Sequence, residues 1–508
     1  MTTAPADIAA AAPVTRRFTT ASGAVVAELA PHVTAEAVFR RLAAAPHLLF
    51  LDSAALDEPP PSAADVELPR LGRFSFVAAD PIHSLVVPAN AGPAVVDSAF
   101  ANLRSLLADL ACATIPALPP FQGGVAGLVS YECGLARLGL SAPQPPAAGV
   151  PLLALHVYDV VVAFDHDAGR GWIISQGVPA KGPVARRERA AARLDSLLER
   201  LAGPAPEPIG AAASAPPPPR ADHPLATHPH VFSTHVPESY AEMVRRGVEF
   251  VRAGDVFQVN LAQRFTTAAQ VDPIELYSRA HTLNAAPFAG FFDAGSCWIA
   301  SMSPERFLQV TRGTVRMHPI KGTRRITASP EADLYAGDDL GASAKDRAEN
   351  VMIVDLVRND LSRVCVPESV RVEALCRLER YRYVQHLVSI VSGRLRRGLT
   401  ALDALDAALP GGSVTGAPKH RACEIISELE GFARGAYCGS LGYLGFDGTA
   451  DFNLLIRTFV ATDGLLTFAA GGGITAASDP AAEHAESLHK AEGMLRVLDS
   501  FAASRASC

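Results

Sequence analysis

Two ionisable side chains with complementary chemistry stand close together in the second half of this chain. Glu305, in Ser303-Pro304-Glu305, offers a carboxyl. Lys321, in His318-Pro319-Ile320-Lys321-Gly322-Thr323-Arg324-Arg325, offers an amine. Between them, Gln309-Val310-Thr311 and Thr314-Val315-Arg316-Met317 are rich in β-branched and apolar residues, and Arg312-Gly313 breaks them, which predicts a hairpin. A hairpin is a stiff way to hold an acid and an amine near one point. Arg324 and Arg325 are expected to repel the charge of the lysine, lowering its pKa and freeing a lone pair for attack on an electrophile. The same residues also describe a surface hairpin with solvated charges, so other segments must decide.

The C-terminal stretch is the first of these. Glu483, Glu486 and Lys490 fall at i, i+3 and i+7 and share one helix face, while Leu488, Ala491, Leu495 and Leu498 fall on another and supply packing. On a solvated face this pattern is ordinary. On a cleft wall the carboxylates suit a hard divalent cation such as Mg²⁺, which takes one or two protein carboxylates and completes its shell with water and substrate oxygens. Glu349, on an earlier helix, is a candidate further ligand. Two glycine-rich loops, Gly411-Gly412-Ser413-Val414-Thr415-Gly416 and Gly471-Gly472-Gly473, offer backbone N–H groups to an anion, the first running into a helix N-terminus. Neither has the spacing of a P-loop, and both also read as bare turns. Arg457 or Lys490 could pair with a substrate carboxylate. His386, in an apolar strand, is more often a satisfied core histidine than a catalytic one.

The elements that must position these groups alternate between strand and helix. Residues 33–45, 186–201, 239–253 (ended by Gly254) and 421–429 have helical patterns, as does the last helix opened by Asp479-Pro480. Ser343-Ala344-Lys345-Asp346 resembles a capping box opening a helix through Glu349 and the apolar run 351–357. Residues 47–53, 71–81, 123–132, 157–164, 255–265, 383–391 and 454–461 read as strands. The first 15 residues are expected to be a disordered tail. Residues 16–202 form an N-terminal region, the Pro/Ala-rich stretch 203–230 a linker or long loop, and 231–503 a catalytic region.

Composition bounds the partners. The chain has 508 residues, 49% hydrophobic and 19% charged, enough for a large core. A net charge of -7 argues against nucleic acid or an acidic membrane, and the lack of long uncharged apolar runs argues against a membrane span. The eight cysteines are scattered, as expected of neutral thiols in a reducing cytoplasm.

Together these segments resemble the chorismate-utilising enzymes, and within them the branch that makes aminodeoxychorismate. The resemblance is carried by Gly254-Asp255-Val256-Phe257-Gln258-Val259-Asn260, Ser303-Pro304-Glu305-Arg306, Pro319-Ile320-Lys321-Gly322-Thr323-Arg324, Asp346-Arg347-Ala348-Glu349-Asn350, Asp355-Leu356-Val357-Arg358-Asn359-Asp360, residues 411–419 and Gly471-Gly472-Gly473-Ile474, in order over 239–498. The first half resembles the family's N-terminal region through 49–53, 72–81 and 123–132. The resemblance implies an α+β composite fold in two parts, with two large, mainly antiparallel sheets packed orthogonally, helices outside, and strands from both halves.

It further implies that Mg²⁺, held by Glu349 and Glu486 with Glu483 nearby, binds the ring carboxylate of chorismate. Glu305 would be the general acid for the C4 hydroxyl. Lys321 would attack C2, and ammonia would then add at C4 and expel the lysine, giving 4-amino-4-deoxychorismate for para-aminobenzoate and folate synthesis. Relatives that make anthranilate carry alanine in place of Lys321, and those that add water carry a lysine base in place of Gln258. His386 would lie near the ring. Arg457 and Lys490 would pair with carboxylates, and Thr415, Gly416, Gly471, Gly472 and Gly473 would complete the pocket. No glutaminase nucleophile is visible, so a separate glutamine amidotransferase subunit is implied. Relatives often line a tryptophan pocket with a Leu-Leu-Glu-Ser segment; here Asp52 and Ser53 stand at its end, with Asp replacing Glu, or simply close a turn. An anthranilate synthase component and a catalytically silent binder of aromatic acids are the rival readings.

Overall fold

A computed structural model describes residues 13–53, 71–143, 149–204, 206, 222–269, 271–325, 344–380, 384–462 and 464–506. Among these the strands form two sheets, of 14 and 10 strands, with every ladder antiparallel. In the larger sheet Val14–Thr19, Val25–Leu29, Arg170–Ser175, Val160–Asp165, Phe74–Ala78 and Leu49–Asp52 lie side by side. Leu49–Asp52 then pairs with Phe288–Asp293, which leads through Trp298–Ser303, Thr458–Thr462 and Leu465–Ile474 to Gln258–Ala268. The smaller sheet is also shared: Gly124–Val129 pairs with Ser440–Gly445 from the other half of the chain. Strands from both halves therefore enter both sheets, as the α+β resemblance implied.

At three points the chain passes directly from one sheet to the other, and two of them divide stretches expected as single strands. The stretch 157–164, expected as one strand, is split at Asp159 into Leu153–Tyr158 in the smaller sheet and Val160–Asp165 in the larger. The stretch 454–461 is split in the same way between Ala450–Leu454 and Thr458–Thr462. Beside it, Trp298–Ser303 in the larger sheet gives way at Pro304-Glu305 to Arg306–Thr311 in the smaller. Continuous apolar runs carry no mark of such a switch, because both sheets bury both of their faces there. The buried Asp159 marks the first crossing, its carboxylate paired with Arg193 at 3.0 Å.

Smaller departures follow local chemistry. The strand expected over 123–132 ends at Val129, where the Ser130 hydroxyl accepts from Cys133 N at 3.2 Å and caps the helix Tyr131–Arg137. The strand Val14–Thr19 begins inside the segment expected to be tail. Residues 1–12, 54–70 and 207–221 lie outside the described residues, as does Ser343 of the expected capping box. The helices Ala344–Ser362 and Pro480–Ala506 cover the site from two sides. The first packs on the strand Val384–Arg394 of the smaller sheet, the second on Leu465–Ile474 of the larger. No described helix is long and apolar enough to cross a membrane, and the described cysteines are all unpaired thiols.

Candidate active site

The predicted hairpin is present. Gln309 pairs with Arg316 and Thr311 with Thr314, and Arg312 and Gly313 turn the chain with φ of 50° and 73°. Glu305 stands just before its first strand, at the crossing between the sheets. The Glu305 carbonyl accepts from Leu454 N at 3.1 Å, and the Ser303 hydroxyl donates to Leu454 O at 2.6 Å, so two adjacent crossings are tied together. Lys321 lies on the next strand, Ile320–Arg325, opposite Leu387. Gly322, at φ 69°, is the extra residue of a bulge between Lys321 and Thr323.

The electrostatics of the pair suit acid and nucleophile. Burial raises the Glu305 carboxyl to about 7 against the opposing influence of the Ser413 hydroxyl, Lys321 and the Ile320 N–H. Ser413 Oγ donates to Glu305 Oε1 at 2.6 Å. Lys321 Nζ donates to Ser413 O at 3.2 Å. Burial also lowers the lysine pKa; Glu349, Glu305 and Glu486 oppose this and Lys490 adds to it. The repelling cation is thus Lys490 from the C-terminal helix. The repulsion expected from Arg324 and Arg325 gives way to burial as the main cause, and their side chains lie outside the described residues.

The carboxylates converge here too. Glu483 Oε2 and Glu486 Oε1 lie 3.0 and 3.6 Å from the point where a Cβ on Gly472 would stand, and Lys490 Nζ lies 3.7 Å from it. Glu483 is buried and accepts from Ser478 Oγ at 2.7 Å. Lys490 Nζ is 2.7 Å from Glu486 and donates to Gly471 O at 2.9 Å. The charge of Glu349, on the Ala344–Ser362 helix, acts on Lys321 in the same direction as that of Glu486. Among the described residues no group of three or more His, Cys, Asp or Glu side chains forms a ready-made metal cage. A few hard oxygen donors from two helices nevertheless fit Mg²⁺, which keeps much of its shell for water and substrate.

The triplet Gly471, Gly472 and Gly473 is not a loop. It lies on the strand Leu465–Ile474, paired with Ala262, Leu261 and Asn260. Its value to the site is the missing side chains: a Cβ on Gly473 would stand 1.8 Å from Gln258 Nε2. Gln258 is buried, and its Oε1 has no hydrogen-bond partner among the described residues. The other glycine segment forms the single turn Gly412–Val414 before the helix Lys419–Glu430. Thr415 is buried with its hydroxyl donating to Gly411 O at 2.9 Å, and Gly416, at φ 145°, pairs with Val259. His386 is buried opposite Thr323, and burial aided by the charge of Arg457 drives its pKa to about 3, so it is neutral. Arg457, at φ 52°, occupies the second crossing, and its carbonyl accepts from Met302 N at 3.0 Å.

Asp52 and Ser53 lie apart from this cluster, on a cavity of about 240 Å³ also lined by Phe50, His166, Tyr277 and His281. Asp52 does more than close a turn. Its carboxylate accepts from Ser53 N at 2.8 Å, Ser75 Oγ at 3.0 Å and Tyr277 OH at 3.1 Å, and pairs with His281 at 3.0 Å.

Sequence reasoning missed what braces the turn. Glu430 and Arg434 form a fully buried ion pair at 2.6 Å; Arg434 also donates to Val414 O at 2.9 Å and Asn260 O at 2.8 Å, and Glu430 accepts from Ala262 N at 2.8 Å. The only signal was an i, i+4 spacing shared with countless solvated pairs.

Acid, amine, carboxylates and glycine-lined wall meet where the chain crosses between the sheets, and the chain belongs to the chorismate binding enzyme family, which it matches over residues 70–496. It is 41% identical to anthranilate synthase component 1 of Pseudomonas putida over 79% of this chain and 80% of that one. It is 36% identical to aminodeoxychorismate synthase component 1 of Escherichia coli K12 over 94% of this chain and 99% of that one. Among solved structures it resembles anthranilate synthase component I of Streptococcus pneumoniae TIGR4, with a TM-score of 0.69 and 30% identity over 86% of this chain and 95% of that one.

Proposed function

We propose that this chorismate-utilising enzyme aminates its substrate at C4, giving 4-amino-4-deoxychorismate in para-aminobenzoate and folate synthesis, with Lys321 as a covalent nucleophile. The observation that carries the reading is the lysine amine with its lowered pKa, bound to the same turn as a buried carboxyl near 7. Its relatives include enzymes named for either product, and Lys321 is what supports the first reading over anthranilate. The Lys321 amine forms a bond to C2 while the C4–O bond breaks. The diene electrons shift round the ring, and Glu305 gives its proton to the departing hydroxyl, which leaves as water. Ammonia then bonds to C4, the electrons return, and the C2–N bond to Lys321 breaks, restoring the amine.

Mg²⁺ at Glu349 and Glu486, with Glu483 nearby, would neutralise and orient the ring carboxylate. Arg457 and Lys490 would take substrate carboxylates, and His386, Gln258 and the Thr415, Gly416 and Gly471, Gly472, Gly473 walls would shape the pocket. A separate glutamine amidotransferase subunit supplies the ammonia, in the cytoplasm. The test is product analysis with chorismate, Mg²⁺ and ammonium salt. Aminodeoxychorismate is expected; anthranilate as the main product would refute the assignment, and unconsumed chorismate would favour a silent binder.

A further inference from the structure

We propose that Ser413 is the positioning residue of this site: its hydroxyl holds the Glu305 carboxyl while its carbonyl holds the Lys321 amine, so that one turn sets acid and nucleophile relative to each other. Its hydroxyl lies 2.6 Å from Glu305 Oε1 and its carbonyl oxygen 3.2 Å from Lys321 Nζ. The inference rests on the functional reading above.

The bond to Glu305 carries directional information. A protonated carboxyl has one oxygen that only accepts and one that carries the proton. A Ser413 hydroxyl that donates to Oε1 holds that oxygen and leaves Oε2 to carry the acid proton. The carbonyl takes one N–H of Lys321, which fixes the direction of the remaining amine valences, including the lone pair of the neutral form. Without this bridge the carboxyl and the amine keep their own chemistry but lose the shared anchor that orients one toward the other.

The turn is built to hold this position. A Cβ on Gly412 would stand 2.6 Å from Leu356 Cδ2 on the Ala344–Ser362 helix, and one on Gly411 would stand 2.8 Å from Leu454 Cδ1 at the sheet crossing. The turn is therefore pressed between the helix that carries Glu349 and the crossing at Leu454, whose N–H is bonded to Glu305 O. Behind it, Arg434 donates to Val414 O, Thr415 Oγ1 donates back to Gly411 O, and Asn260 N donates to Thr415 O at 2.7 Å. Ser413 is thus the point of a rigid wedge, the arrangement that precise orientation of reacting groups requires.

The test compares Ser413→Ala and Ser413→Thr by chorismate consumption across pH, with product identity scored separately. Ser413→Ala removes a hydrogen bond that favours the charged carboxylate, so Glu305 should lose its proton at higher pH. The alkaline limb of kcat/KM should move up by on the order of one pH unit, with kcat down about tenfold or more. Ser413→Thr keeps a hydroxyl and should keep the parent limb. An unmoved limb in Ser413→Ala, or an equal loss of rate in both variants with no change in pH profile, would overturn the assignment and leave Ser413 a structural residue. If Ser413→Ala does not fold, the threonine variant decides: a displaced limb despite its hydroxyl overturns the proposal. If the parent makes anthranilate, the functional reading fails, while the limb shift still reports on the Ser413–Glu305 bond.

Discussion

A lysine made less basic by burial is more often a neutral amine at working pH, and a carboxyl raised to about 7 is more often a neutral acid. Lys321 and Glu305 are perturbed in the two directions that covalent attack and leaving-group protonation need. Lys321→Ala should therefore abolish amination at C4, measured as aminodeoxychorismate formed from chorismate and ammonium salt. Glu305→Gln should cut kcat by about 10² to 10⁴-fold, the usual contribution of a general acid. Because the acid must be protonated to act, kcat/KM should fall as pH rises through about 7 and stay level below it as far as Glu305 alone governs. Lys490 occupies Glu486 at 2.7 Å, so Mg²⁺ binding must loosen that pair. Chelation of divalent ions should stop turnover and added Mg²⁺ restore it, and Glu486→Gln should raise the Mg²⁺ concentration needed.

At the scale of elements, two glycines that look alike in sequence should behave differently. A Cβ on Gly416 would meet the backbone oxygen of Gln258 at 2.1 Å, at a φ of 145° that side chains rarely adopt. Gly416→Ala should destabilise the protein by more than about 2 kcal/mol in an unfolding titration. A Cβ on Gly473 would meet only the movable end of Gln258, so Gly473→Ala should leave stability nearly unchanged and lower activity by displacing that carboxamide. Equal stability losses in the two variants would contradict this. Removing Arg434 alone should strand the buried Glu430 carboxylate and cost about 3–5 kcal/mol.

Much of this scale was legible in the residues. Helix ends at Gly254 and Pro480 and the turn at Arg312-Gly313 are local chemistry, which a sequence displays directly. The strand nature of Gly471, Gly472 and Gly473 was not, because glycine-rich segments favour a loop until a partner strand such as Gln258–Ala268 imposes its ladder. The crossings at Asp159, Glu305 and Arg457 were invisible for the same reason: which sheet a strand joins depends on distant partners.

At the scale of the molecule, both halves of the chain build each sheet, so stability is shared and titrating buried groups acts on the whole. His156 is fully buried against His47 and Phe292, and burial, with the nearby His47, drives its pKa to about 3. A histidine with a folded pKa below its unfolded value near 6.5 contributes stability that is present above pH 6.5 and lost as pH falls toward 3. His386 acts in the same direction. Glu132 and Glu305, both raised to about 7, act oppositely: their contribution is complete below about 4.5 and lost as pH rises through 7. Replacing His156 with Phe should flatten the decline of stability between pH 6.5 and 4, by at most about 1.4 kcal/mol per pH unit. Unfolding titrations at several pH values measure this.

The proposed chemistry requires that the ring of the substrate be bonded, for a time, to the nitrogen of Lys321. Incubation of the protein with chorismate and Mg²⁺ in the absence of ammonia, followed by intact-mass analysis and peptide mapping, looks for that bond directly. The expected result is a mass increase of chorismate less one water, located on Lys321 and absent from Lys321→Ala. Amination at C4 proceeding at full rate in Lys321→Ala, with no adduct in the parent, would contradict it.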